Sequence, residues 1–169
     1  GGPPEAQAWP LPNVWLGVSV EDQATADERI PLLLQTPAAV RFVSYEPALG
    51  PVDFHRRGDG SIYHTHISID WMIVGGESGP KARTFNVEWA RYTIQSCQDR
   101  LCPVFMKQLG ARPYVDDPSS RRNKPFRYKQ RYCDDETGQA WVQLLDRAGA
   151  DPSEWPEDLR VRCFPEICA

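Results

Sequence analysis

A chain of 169 residues with 41% apolar content and six tryptophans can build one domain with its own core, or a part of a larger one, which excludes a disordered chain. Its formal charge of -4 and pI near 5.4, with acids and bases mixed along the chain, exclude a strong overall field for nucleic acid. No apolar run approaches the length of a membrane span, and the start lacks a basic segment followed by a hydrophobic one. The expectation is a soluble, cytoplasmic protein with no membrane partner.

Residues 1–12, rich in Gly and Pro, read as an incoming linker. Residues 13–110 then alternate apolar runs with helical patterns, which predicts a parallel α/β core. The first run, Val14 to Val20, is nearly continuous, as in a strand whose sheet is covered on both faces. It ends in Glu21-Asp22, and Asp22 or Thr25 can cap a helix carrying Ala26, Arg29 and Ile30. Pro31 either begins a second helical piece or kinks the first.

The second run, Val40 to Ser44, stops at Tyr45-Glu46-Pro47, and the proline keeps Glu46 out of helical geometry. Gly50 to Ser68 has no helical period, which predicts a long loop or a small hairpin where a crossover helix is expected. The third strand runs into Gly75-Gly76-Glu77-Ser78-Gly79. Asn86 can cap a helix whose apolar positions are Val87, Ala90, Ile94, Cys97 and Leu101. The fourth strand, Val104 to Met106, leads to Lys107-Gln108. From residue 111 the pattern loosens into an irregular extension, 111–169, with short elements near 140–145 and 158–163, where Trp141, Leu144 and Leu145 share a face.

Ligands of α/β proteins gather beyond the carboxyl ends of parallel strands. The residues at those ends are Asp22, Glu46, Gly75, Gly76, Glu77, Ser78, Lys107 and Gln108. Three glycines in five positions allow close approach and expose backbone N–H groups, although the G-x-G-x-x-G spacing of a dinucleotide site is missing. Glu46 and Glu77 on neighbouring strands would stand about 5 Å apart at the backbone. Such carboxylates share a proton, hold a cation or grip an amine, and Lys107 can offset one charge. The bland alternatives are a tight turn with a solvated glutamate and a purely structural Glu-Glu-Lys cluster.

Arg83 could lie over an anionic ligand. The segment from Arg121 to Arg131 interleaves basic and aromatic residues and reads as a phosphate-binding patch or a solvated loop or strand. His55, His64 and His66 are a weak zinc set. Five cysteines, at 97, 102, 133, 163 and 168, lack C-x-x-C spacing, and the odd count reads as reduced and intracellular. Cys97 and Cys102 read as core or near-core thiols. No metal site is assigned.

Four stretches together are distinctive: Leu11 to Asp22, Arg41 to Pro47, Asp70 to Gly79 and Phe105 to Gly110. They resemble segments of a bacterial and phage-associated family named after two phage gene products, commonly grouped with radical S-adenosylmethionine proteins. Trp155 to Arg162 resembles that family's carboxyl-terminal signature, so the similarity spans roughly residues 9 to 169. Tyr45 stands where that family often has a smaller residue or cysteine.

The resemblance implies a half or partial (β/α) barrel of about four parallel strands, corresponding to the carboxyl-terminal half of the full-length family. It implies S-adenosylmethionine and a [4Fe-4S] cluster in the full-length protein, with the cluster cysteines in an amino-terminal half that this chain lacks. By that reading Glu46, Glu77 and Lys107 are the candidate catalytic residues, and Asp22, Gly75, Gly76, Ser78 and Gln108 the candidate cofactor contacts. A bare parallel sheet edge predicts self-association or pairing with the missing half. The rival expectation is a non-catalytic module that binds a small molecule, protein or nucleic acid.

Overall fold

The computed structural model describes residues 9–61, 69–117, 128–133 and 138–166, the backbone alone for 128–133. Four parallel strands form the main sheet in the order β1, β2, β3, β5: Trp15–Ser19, Val40–Tyr45, Trp71–Gly75 and Val104–Gln108. Helix α1, Gln23–Gln35, packs on β1 and β2, and helix α2, Val87–Gln98, packs on β3 and β5. The four predicted strands are therefore parallel and open at one common end, as in a partial barrel.

Register and burial show which face each residue takes. Val43, Met72 and Val104 are aligned across the sheet, as are Tyr45, Val74 and Met106, and all six are buried in one core with Ala26, Ile30, Leu33, Ala90 and Ile94 of the helices. Both helices thus cover the same face, which follows when each crossover is right-handed. The alternate positions Trp15, Phe42, Trp71, Ile73 and Phe105 point the other way and are only partly buried. The expectation of a sheet covered on both faces is corrected: α1 and α2 cover one.

Helix α1 begins in a capping box, in which the Asp22 carboxylate accepts from the Thr25 N–H at 2.9 Å and the Thr25 hydroxyl accepts from the Asp22 N–H at 3.1 Å. Pro31 lies inside this single helix. It cannot donate to the carbonyl of Asp27 one turn back, and the Arg57 guanidinium takes that carbonyl at 3.1 Å. Asp27 and Gln23 also bind the backbone N–H groups of Gly58 and Asp53, at 2.7 and 2.8 Å. The described part of the stretch after β2 is thereby stitched to α1 as an irregular loop, and residues 62–68 of the predicted loop or hairpin lie outside the described residues.

Two findings revise the helix and strand assignments beyond β3. Leu101 does not join the apolar stripe of α2; it lies past the helix end at φ 57 and is 92% exposed. Residues 140–144 form a strand, so Ala140, Val142 and Leu144 face inward while Leu145 is exposed. That strand, β8 (Ala140–Leu144), belongs to a second sheet with β4 (Phe85–Asn86), β6 (Pro113–Val115) and β7 (Tyr128–Cys133), in the order β4, β6, β8, β7. Because β4 lies between β3 and α2, the carboxyl-terminal extension is woven into the predicted core.

The remaining segment closes the β5 side. Met106 N–H donates to Val161 at 2.8 Å and Cys163 N–H to Val104 at 2.8 Å, an antiparallel bridge beside β5. Trp155 is fully buried with its indole N–H on the Gly149 carbonyl at 3.0 Å. Arg91 on α2, its side chain 3% exposed, holds Asp158 at 2.8 Å and also Glu88. The stretch from Trp155 to Arg162 is a clamp that pins the extension against α2 and β5.

Candidate functional site

The carboxyl end of the parallel sheet brings Glu46, Lys107 and Gln108 together. Lys107 Nζ lies 2.8 Å from Glu46 Oε2, and Gln108 Nε2 donates to Glu46 Oε1 at 3.1 Å and to the Gly76 carbonyl at 2.9 Å. Both carboxylate oxygens are thus engaged, one by a charge and one by an amide that is itself anchored to the next strand. The Glu46 side chain is 13% exposed and that of Lys107 is 53%, so the carboxylate is fixed and its partner reaches from solvent. Gly75 continues Trp71 and Ile73 on the face that the helices leave uncovered, with Glu46 Oε1 beside it, and a register shift after Val74 sets Gln108 opposite Gly75.

Glu77 belongs to a different pair. Arg83 binds it in a fork, Nε to Oε2 at 2.8 Å and Nη2 to Oε1 at 3.0 Å, and the Arg83 backbone N–H adds a third bond at 2.8 Å. These bonds from Arg83 hold the Glu77 carboxyl down at about 2. Arg83, expected over an anionic ligand, is occupied by this neighbour. Glu46 and Glu77 are therefore neutralised separately, by Lys107 and by Arg83.

The glycines explain themselves by close approach, but to the chain's own backbone. A Cβ on Gly76 would lie 2.3 Å from the Leu109 carbonyl oxygen, and one on Gly75 would press on Glu46 Oε1 at 3.1 Å. Gly76 N–H donates to Gln108, and the Gly75 carbonyl accepts from Ala48 at 2.9 Å. Gly79 and Gly110 take positive φ, at 102 and 79, and a Cβ on Gly110 would also lie 2.6 Å from the Glu77 carbonyl. Gly75 thus makes room for the Glu46 carboxylate, while Gly76 and Gly110 let β3 and β5 leave the sheet side by side.

Asp22 lies at the end of β1 as the cap of α1, and the bond from the Thr25 backbone holds its carboxyl below the usual range. Ser78 is exposed and lines an adjoining cleft of about 760 Å³ with Gly110, Arg112, Gln143 and Arg147. That cleft is lined by the turn after β3, the residues after β5 and the end of β8. His64, His66 and residues 121–127 of the basic segment lie outside the described residues; Tyr128–Cys133 of that segment is strand β7.

Sequence reasoning missed the floor of the site. On the uncovered face Trp71 touches Trp15, Phe42 and Phe105, with ring centroids 5.7, 5.9 and 6.2 Å apart, and Phe164 packs on Trp71 at 5.2 Å. Arg162 lies between Phe105 and Trp155, 5.3 and 5.4 Å from the ring centroids. The signal was a single aromatic in each strand run, Trp15, Phe42, Trp71 and Phe105, masked because the strands also carry apolar residues on the other face. An ion pair at the head of an aromatic floor can take a ligand that has both charges and a flat or apolar part.

The family model described as a protein of unknown function (DUF5131) matches residues 3–145. The chain belongs to this family. The match covers the parallel sheet, both helices and the second sheet through β8. No curated protein and no solved structure matches the chain. A cubane cluster needs about three convergent thiolates, and among the described residues no group of three metal-ligating side chains occurs. Cys97 and Cys102 flank the amino end of β5, at the far end of the sheet from Glu46. The donor set of the described residues does not fit a [4Fe-4S] centre beside the rim. Among the described residues no helix is long and apolar enough to cross a membrane.

Proposed function

We propose that the chain is one wall of a ligand-binding barrel, the carboxyl-terminal part of a radical S-adenosylmethionine-like protein, and that its task is binding. The observation that carries this reading is the one-sided sheet: α1 and α2 share a face, and the opposite face is aromatic with Glu46 and Lys107 at its carboxyl end. Parallel sheets are normally covered on both faces, so the aromatic floor calls for an occupant. The Glu46–Lys107 pair is the charge complement of an α-ammonium carboxylate, with Glu46 facing the ammonium and Lys107 the carboxylate. S-adenosylmethionine carries that group together with a flat adenine and a sulfonium, which aromatic rings accept.

Radical generation would then rest on a cluster held by other residues, since the thiols described here lie at the wrong end of the sheet. Among the described residues no strand lies outside β1, and the missing half, or a second copy, would extend the sheet there. The test is a titration of the chain, and of its longest native reading frame under anaerobic conditions, with S-adenosylmethionine. Fluorescence of Trp15 and Trp71 should saturate, and Glu46→Gln and Lys107→Ala should each weaken binding about 10-fold or more, as loss of a charged hydrogen bond does. A flat titration for both forms, or unaltered affinity in both variants, overturns the proposal. Iron and sulfide content of the longer form tests the cluster separately.

A further inference from the structure

Helix α2 ends in a Schellman motif: Cys102 N–H donates to the Cys97 carbonyl at 2.9 Å, Leu101 N–H to Gln98 at 3.2 Å, and Leu101 takes the left-handed conformation at φ 57. This motif brings together the side chains of its first and last residues, usually two apolar groups. Here both are cysteines. Both thiols are free, with Cys97 buried and Cys102 half-buried. Beside Cys102 lies a cleft of about 700 Å³, lined also by Asp70, Arg100, Phe164 and the exposed Cys163.

We infer that Cys97 and Cys102 form a redox modification site, a dithiol that low-molecular-weight disulfides convert to an intramolecular disulfide across the α2 cap. The two positions have unequal roles. Cys102 borders the cleft, and the bond from the Cys97 S–H favours its thiolate and holds its pKa below the usual thiol range, while Cys97 keeps its proton. The Cys102 thiolate attacks one sulfur of the external disulfide, forming a mixed disulfide and releasing one thiolate. Cys97 gives its proton to solvent and attacks Cys102 Sγ, releasing the second thiolate. Two protein thiols are oxidised to one disulfide, and the external disulfide is reduced to two thiols. The Schellman bonds hold the resolving thiol in place, so the mixed disulfide should be short-lived. The two thiols lie at the amino end of β5, away from Glu46 and Lys107, and the cleft beside them shares Phe164 with the aromatic floor.

Trypsin cuts at Arg100, between the two cysteines, which makes the outcome readable by mass spectrometry. After incubation of the full chain with oxidised glutathione, peptide Tyr92–Arg100 should be joined to Leu101–Lys107, and reductant should separate them. Cys97→Ser should instead accumulate a glutathione adduct on Cys102. Should this variant fail to fold, the peptide map of the unmutated chain decides alone. A stable glutathione adduct on Cys102 of the unmutated chain, a Cys102–Cys163 link, or full alkylation of both thiols after oxidation overturns the inference.

Discussion

On the helix side of the parallel sheet Val43, Met72, Val74, Val104 and Met106 are each at most 2% exposed, while Trp15, Phe42, Ile73 and Phe105 on the other side remain partly open. The same five- and six-residue strands supply both sets. The buried set is aliphatic and thioether, fitted under two helices; the open set is mainly aromatic and is touched by the carboxyl-terminal segment through Phe164. Large flat side chains can cover one another edge to face without a helix above them, and they keep a surface that a ligand or a second chain can use. The difference separates the two faces of one sheet: one carries the helix-covered core, and the other keeps its aromatic side chains partly open.

Adjacent residues on β3 give the largest test of that separation. Met72→Ala removes a side chain 1% exposed from the shared core and should cost about 2–5 kcal/mol. Ile73→Ala, one residue along on the open face, should cost less, roughly 1–2 kcal/mol, because part of its surface already meets water. Urea denaturation of both variants reads the ratio. Equal costs that grow with protein concentration would mean that a second copy covers the open face.

Lys107→Ala probes the rim and should cost about 1 kcal/mol or less. The lysine is half exposed, and Gln108 still holds the other oxygen of Glu46. Its effect on ligand affinity should exceed its effect on stability, whereas a structural ion pair would show the reverse. Parallel denaturation and binding titrations on the one variant compare the two quantities.

The strands and their carboxyl ends were legible because each run is apolar on both faces and breaks at a charged or glycine residue, and those breaks fall at one end of the sheet. The second sheet was not legible, since β4 and β6 are two and three residues long and too short to show a period. The Glu46, Lys107 and Gln108 cluster followed from strand ends. The pairing of Glu77 did not, because spacing alone left Arg83 free to reach a ligand; only the turn after Gly79 folds it back. Leu101 fitted the helical period of α2 by number, but the Schellman turn ends the helix before that position is reached. The role of Trp155 to Arg162 depends on Arg91 and Gly149, which no local pattern connects to it.

Glu77 gives the smallest effect and the most direct check on how the rim divides its charges. Its folded pKa lies at about 2, below the ordinary value of 4.5, because the charged form receives bonds from Arg83. The stabilisation from this pair is therefore complete above the unfolded value and is lost as pH falls from about 4.5 towards 2. Its size is small, since the group is open to solvent and salt. In Arg83→Gln the Glu77 carboxyl should titrate near 4.5, and NMR of the side-chain carboxyl carbon reads the shift directly. A Glu77 carboxyl that stays low without the Arg83 guanidinium would mean that another cation of the rim holds it, and would overturn the separate pairing of the two carboxylates.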